Sequence, residues 1–256
     1  MKKSIVILLA LMSTQIHAQL KEVSYAEGIQ KLKGFGAIPA KALKQKPGIL
    51  VLPAWFGINQ HVKDVATDLS SLGYHAFVAD IYGEGNYPTT QQQAGEKAGY
   101  YKGHPEEYQK RIKAALDALI KSGADANNIV VIGYCFGGTG ALEAACAGMN
   151  VKGIVTFHGG LGKDASRTSG EIKTKVLVLN GADDPYVPQK DIAAFEKEMR
   201  DGHEDWQFIN YANAVHAFTE KEARNDNSKG AAYNEKAAKR SWKHFLLFLD
   251  EVFEMK

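Results

Sequence analysis

From Pro47 onward the chain alternates short, continuously apolar runs with amphipathic segments, and few architectures accommodate that alternation. "GILVLPAWF" reads as a buried strand, and "NQHVKDVATDLSSLG" as a helix capped by Asn59 and stopped by Gly73. "HAFVADIYG" is a second strand. It is followed by the long helix "HPEEYQKRIKAALDALIKSG", whose Ile112, Ala115, Leu116, Leu119 and Ile120 share one face. The strands "NIVVIGYC", "VKGIVTFHGG", "KTKVLVLNGADD" and "WQFINYANA" follow, with helices in "GTGALEAACAG", "QKDIAAFEKEMRDG" and "NEKAAKRSWKHFLLFLDEVF". Strands without polar alternation are buried on both faces, so a mostly parallel sheet with helices on either side is expected, an α/β fold. Two weaker strands, around "KEVSYA" and "LKGFGAIPA", precede this series as an antiparallel edge. The stretch 83–103, rich in Gly, Gln and Tyr, shows no clear period and is expected to form a cap or pocket wall beside the strand ends.

The first residues carry two lysines, an apolar run from Ile5 to Met12 and a small residue at Ala18. That is the layout of a secretory signal peptide over residues 1–18, with one domain over 19–256 and export to a periplasm or the cell exterior. No run reaches the roughly 20 apolar residues of a membrane helix. Without Lys2 and Lys3 the 31 basic residues fall to 29, against 29 acidic ones, which does not suggest a nucleic-acid partner. Cys135 and Cys146 stand eleven positions apart. On one helix that is roughly 16 Å, too far for a disulfide, so two free thiols are expected.

"GYCFGG" is a strand that ends in glycine, nucleophile and glycine and turns at once into a helix. Such a nucleophile elbow strains the backbone at Cys135, and Gly133 and Gly137 avoid collisions on either side. The turn sets the sulfur near a helix N-terminus, whose partial positive charge favours a thiolate. It lacks the lysine of a phosphate-binding loop, and the strand order does not suit a dinucleotide fingerprint. Further on, "GADDPYVP" supplies Asp183 and Asp184 past a strand end, and "NAVHAF" supplies His216. Nucleophile, acid and histidine thus come in the order this elbow requires. Asp184, the fourth residue of its pattern, is the preferred acid, with Asp183 as the alternative. His216 would take the thiol proton, Asp184 would orient the imidazole, and the N–H groups of Phe136 and Trp55 would form an oxyanion hole. Phe56, Tyr82, Tyr186 and His158 are candidate pocket residues. His61, His75, His104, His203 and His244 read as structural, and no spacing suggests a metal site.

With these motifs in order, and "LPAWFGINQHVKDVATDLSSLGYHAFVADIYGEG" upstream, the chain resembles the dienelactone hydrolase family of α/β-hydrolases. The resemblance implies cofactor-free hydrolysis of an ester or lactone by Cys135, Asp184 and His216. Members that cleave dienelactones carry a glutamate where this chain has Ala54, and an arginine clamp where it has Glu220. A neutral or apolar ester is therefore expected as substrate rather than an acidic lactone. A thiol redox protein and a non-catalytic binding protein on the same fold are the alternatives.

Overall fold

A computed structural model describes residues 20–162 and 172–255. The signal-peptide expectation, residues 1–18, lies outside the described residues. Eight strands form one sheet: β1 (Leu20–Glu27), β2 (Gln30–Ala37), β3 (Gly48–Leu52), β4 (His75–Val78), β5 (Ile129–Tyr134), β6 (Gly153–Phe157), β7 (Lys175–Gly181) and β8 (Trp206–Tyr211). Their order across the sheet is β1-β2-β4-β3-β5-β6-β7-β8. The hairpin β1–β2 is antiparallel, and β2 joins β4 antiparallel. Every other pairing is parallel. Helices α1 (Gln60–Ser71), α2 (Gln91–Gly103), α3 (Pro105–Lys121), α4 (Phe136–Cys146), α5 (Gln189–Asp201) and α6 (Glu235–Val252) cover it.

Strand pleating divides the core into two layers. Leu50, Leu52, Val131 and Ile154 point to one face, where they meet Tyr108 and Ile112 of α3, Ala141 of α4 and Phe195 of α5. Ile49, Val51, Val130 and Ile132 point to the other, where they meet Val62 and Leu69 of α1 and Phe245 and Leu249 of α6. The central parallel strands β3, β5 and β6 are buried on both faces, which is why they carry no polar alternation. Asn59 caps α1 by accepting the Val62 N–H at 3.2 Å, and Gly73 follows the helix at φ +98°.

One expectation needs correction. Part of the stretch 83–103 is the regular helix α2, capped by the Thr90 side chain on the Gln93 N–H. Its buried residues are Ala94, Ala98 and Tyr101, at i, i+4 and i+7, and two of these three are too small to stand out as an apolar stripe. A helix also brings Gly95 within 3.8 Å of the Trp55 ring, measured from the position a Cβ would take. No disulfide joins Cys135 to Cys146. No helix among the described residues is long and apolar enough to cross a membrane.

Candidate active site

Strand β5 lies centrally, with β3 and β6 at its sides, and ends at Tyr134. The next residue, Cys135, turns the chain into α4 at φ 54°, ψ −114°, a conformation costly for any side chain larger than hydrogen. Its own backbone holds it there. The Cys135 N–H donates to the Phe157 carbonyl at 3.0 Å, and its carbonyl accepts from Gly138 at 3.0 Å and Thr139 at 3.3 Å. Glycine is obligatory on both sides. A Cβ on Gly133 would lie 1.9 Å from the Gly137 oxygen, and one on Gly137 would lie 2.2 Å from the Leu52 oxygen. The second contact places the start of α4 against the end of β3, beside the turn that carries Trp55.

That turn closes with the Gly57 N–H on the Ala54 carbonyl at 2.8 Å, and Tyr82 donates its hydroxyl to the Trp55 carbonyl at 2.6 Å. Neither the Phe136 nor the Trp55 N–H has a backbone acceptor among the described residues. Phe136, at the head of α4, has no partner within its helix. Tyr82 stacks on Phe136 with ring centroids 6.0 Å apart, and Tyr108 stacks on Phe136 at 4.6 Å. Phe56 packs edge-on against Trp55 and is 40% exposed.

The loop after β8 delivers His216. It is pinned by His216 N–H to the Gly230 carbonyl at 3.2 Å and by Ala232 N–H to the His216 carbonyl at 2.9 Å. The imidazole Nδ1 lies 2.8 Å from Asp184 Oδ2, and the ring is close enough to Cys135 to feel the charge of its sulfur. With Nδ1 on the carboxylate, Nε2 is the nitrogen left for the sulfur. Burial opposes a charge on this ring. The hydrogen bond to Asp184, together with the charges of Cys135 and Asp184, outweighs it and pushes the His216 pKa up to about 10. Asp184 follows β7, its side chain is inaccessible to solvent, and its Oδ1 accepts the Tyr186 N–H at 2.8 Å. Asp183 is exposed, and its backbone N–H donates to the Ala214 carbonyl.

Cys135, Asp184 and His216 thus come from three loops at the carboxyl edge of the sheet, with His216 hydrogen-bonded to Asp184 and electrostatically coupled to Cys135. Tyr186 is 60% exposed and packs edge-on against His216 at 5.1 Å. His158 is wholly buried, packs against His216 at 5.2 Å and meets Thr219 Oγ1 at 2.8 Å through Nε2. Burial, and then the charge of His216, hold His158 well below the usual histidine range, so it supports the site as a neutral ring.

The sequence reading noticed Glu220 only as a missing arginine. In the fold it lies half-buried in the loop that carries His216, its backbone N–H donating to the Ala217 carbonyl at 2.9 Å. Burial pushes its carboxyl up to about 7, against the opposing pull of His216. Its spacing of four residues from His216 was the available signal. Among the described residues no three His, Cys, Asp or Glu side chains converge as a metal site.

Comparison with known proteins places this geometry. A protein of Bradyrhizobium sp. described as a probable 2-oxo-3-(5-oxofuran-2-ylidene)propanoate lactonase is 29% identical over 79% of this chain and 83% of its own. The solved structure of m3DLH matches with a TM-score of 0.87 and 35% identity, over 92% of this chain and 99% of that one. A dienelactone hydrolase-like promiscuous phosphotriesterase from metagenomic libraries matches with a TM-score of 0.86 and 34% identity, over the same shares. The dienelactone hydrolase family profile matches residues 32–253, so the chain belongs to the dienelactone hydrolase family.

Proposed function

We infer that the protein hydrolyses small neutral carboxylic esters or lactones, with Cys135 as nucleophile, His216 as general base and acid, and Asp184 as its orienting carboxylate. The observation that carries this reading is the connected arrangement at the sheet edge. A strained cysteine at a helix N-terminus is coupled to a histidine whose Nδ1 is fixed by a buried carboxylate.

In this reading the thiol proton passes to His216 Nε2, and the thiolate attacks the acyl carbon. The oxyanion is received by the N–H groups of Phe136 and Trp55. The imidazolium then gives its proton to the departing alkoxide, leaving a thioester on Cys135. His216 next takes a proton from water, whose oxygen attacks the thioester, and the proton returns to the sulfur as the acid leaves. Glu220, an acid four residues beyond His216 whose carboxyl pKa is drawn down by the charge of that ring, favours neutral substrates over anionic ones. The aromatic side chains Phe56, Tyr82 and Tyr186 suit an apolar acyl or alcohol group. The same reading has residues 1–18 removed on export, leaving the domain from residue 19.

The test is to mix the protein with a chromogenic small-acyl ester and follow Cys135 by mass spectrometry. A neutral phosphotriester belongs in the substrate panel because of the phosphotriesterase similar to this chain. An acyl adduct that forms and decays on Cys135, and loss of at least about 10³-fold in rate in Cys135→Ala and His216→Ala, are expected. Full activity in either variant refutes the assignment. A folded protein that turns over no ester but forms a reversible Cys135–Cys146 disulfide would support the redox alternative.

A further inference from the structure

The turn that presents the Trp55 N–H is held from outside by a tyrosine hydroxyl to which the mechanism above gives no role. The planar peptide joining Ala54 to Trp55 carries the Ala54 carbonyl on one side and the Trp55 N–H on the other. That carbonyl accepts the Gly57 N–H at 2.8 Å, which closes residues 54–57 into a four-residue turn. The central peptide of such a turn can face either way, and each orientation needs its own backbone at Trp55 and Phe56. Tyr82 fixes one of them, because its hydroxyl donates at 2.6 Å to the Trp55 carbonyl, which belongs to that central peptide. The turn also lies against the ring: a Cβ on Gly57 would stand 3.5 Å from Tyr82 Cδ2. Tyr82 is itself buried, and it is anchored away from the site. The buried Asp80 carboxylate accepts the Gly83 N–H at 2.8 Å, the Lys33 N–H at 2.9 Å and the Tyr87 hydroxyl at 2.8 Å, which ties the loop after β4 to β2.

We propose that Tyr82 is a positioning residue for the oxyanion hole: its hydroxyl, bonded to the Trp55 carbonyl, holds the turn in the one orientation that aims the Trp55 N–H at the developing oxyanion. The same ring supports the other donor's residue, stacking on Phe136 with centroids 6.0 Å apart and planes 8° apart. The two donors differ in what they need. Phe136 begins α4, so its N–H is set by the helix, and its carbonyl takes a second tyrosine hydroxyl, from Tyr108 at 3.1 Å. Trp55 lies between β3 and α1, outside any helix or strand. Its orientation therefore depends on the turn, and the turn on Tyr82.

This inference rests on the hydrolase reading, yet one of its tests needs no turnover. Tyr82→Phe removes the hydroxyl and keeps the stacked ring; Tyr108→Phe removes a comparably buried hydroxyl from the neighbouring residue of the stack. Each is compared with wild type by ester kinetics, by alkylation of Cys135 with iodoacetamide, and by binding of an alkyl trifluoromethyl ketone. The ketone adds reversibly to the Cys135 sulfur: the S–C bond forms, the carbonyl π pair becomes an oxyanion, and the thiol proton passes to His216. Alkylation makes no oxyanion and reports the nucleophile alone. Tyr82→Phe is expected to lower kcat and weaken ketone binding by about 10- to 100-fold, less than the roughly 10² to 10³ for losing a donor outright, with KM and the alkylation rate near wild type. Tyr108→Phe should stay within about threefold in every readout, because the helix holds the Phe136 N–H without it. Unchanged ketone binding in Tyr82→Phe overturns the proposal, as do equal losses in the two variants or a raised KM at unchanged kcat. Ketone binding that weakens in Tyr82→Phe, in a protein that hydrolyses no ester, would instead overturn the hydrolase reading and leave the hold of Tyr82 on the Trp55 N–H standing.

Discussion

Replacing Asp184 by asparagine tests the histidine's orientation with almost no change in shape. The carboxylate makes two hydrogen bonds, Oδ2 to His216 Nδ1 and Oδ1 from the Tyr186 N–H, each at 2.8 Å. An amide has one oxygen and one N–H group to fill these places. If the oxygen stays with Tyr186, the amide N–H points at Nδ1, which must then accept. The imidazole proton moves to Nε2, facing Cys135, and the ring cannot take the thiol proton. If the amide turns over, two N–H groups confront each other at Tyr186 in a place with no solvent access, an unmade hydrogen bond costing about 1 to 3 kcal/mol. In either orientation the imidazolium loses a charge-assisted partner, about 1.5 to 3 kcal/mol more.

These contributions total roughly 2.5 to 6 kcal/mol on the barrier, or about 10² to 10⁴ in kcat. The assay is ester turnover at pH 7 to 8, with alkylation of Cys135 used to count intact sites. Asp183→Asn serves as the control, because its side chain is exposed; a change within about twofold is expected there. Turnover in Asp184→Asn within tenfold of wild type would refute the tautomer argument. A crippled Asp183→Asn would move the orienting role to the neighbouring acid.

Two further outcomes follow from packing and burial. Gly137→Ala drives a Cβ to 2.2 Å from the Leu52 oxygen, with backbone rather than a flexible side chain in the way, and should cost about 3 kcal/mol or more. Gly99→Ala, on an open face of α2 with nothing within 4 Å, should instead stabilise by about 0.5 to 1 kcal/mol; thermal melts that moved both the same way would contradict this. Glu220 ionises near 7 in the fold against an ordinary 4.5, because burial disfavours its charge. A raised carboxyl contributes stability below about pH 4.5 that is lost as pH rises through 7. Glu220→Gln should therefore gain about 2 kcal/mol on wild type between pH 5 and pH 8 in urea melts, and parallel pH profiles would refute it.

The central strands were legible because each is buried on both faces and so reads as an unbroken apolar run, whereas β1, at the open edge, alternates. The elbow was legible for a steric reason: Gly133 and Gly137 are the residues that backbone contacts at 1.9 and 2.2 Å permit. Helix α2 was not, because its buried positions 94 and 98 are alanines and the packing that selects them comes from residues far away in the chain. His61 was read as structural from its helix; there it packs on Tyr134 at 4.7 Å with its Nε2 lacking a partner.

Five of the residues with left-handed backbone lie past the carboxyl ends of strands. Gly57 follows β3 at φ 83°, Gly83 follows β4 at φ 90°, Cys135 follows β5 at 54°, His158 follows β6 at 41°, and Ala217 lies past β8 at 56°. Two of the five are glycines that take this geometry at little cost, but Cys135, His158 and Ala217 carry side chains that do not. Cys135 and Ala217 belong to the nucleophile and histidine loops, and His158, in the loop after β6, packs against His216; the histidine loop adds the cost of the half-buried Glu220 carboxyl. Such costs persist only where surrounding structure over-determines the conformation. Here the fully buried strands β3, β5 and β6 supply that rigidity directly beneath the loops. Activity and stability should accordingly oppose each other at this edge. Glu220→Gln is expected to make the fold more stable at alkaline pH without raising ester turnover, and a substitution that improved both would break the link between strain and chemistry argued for this site.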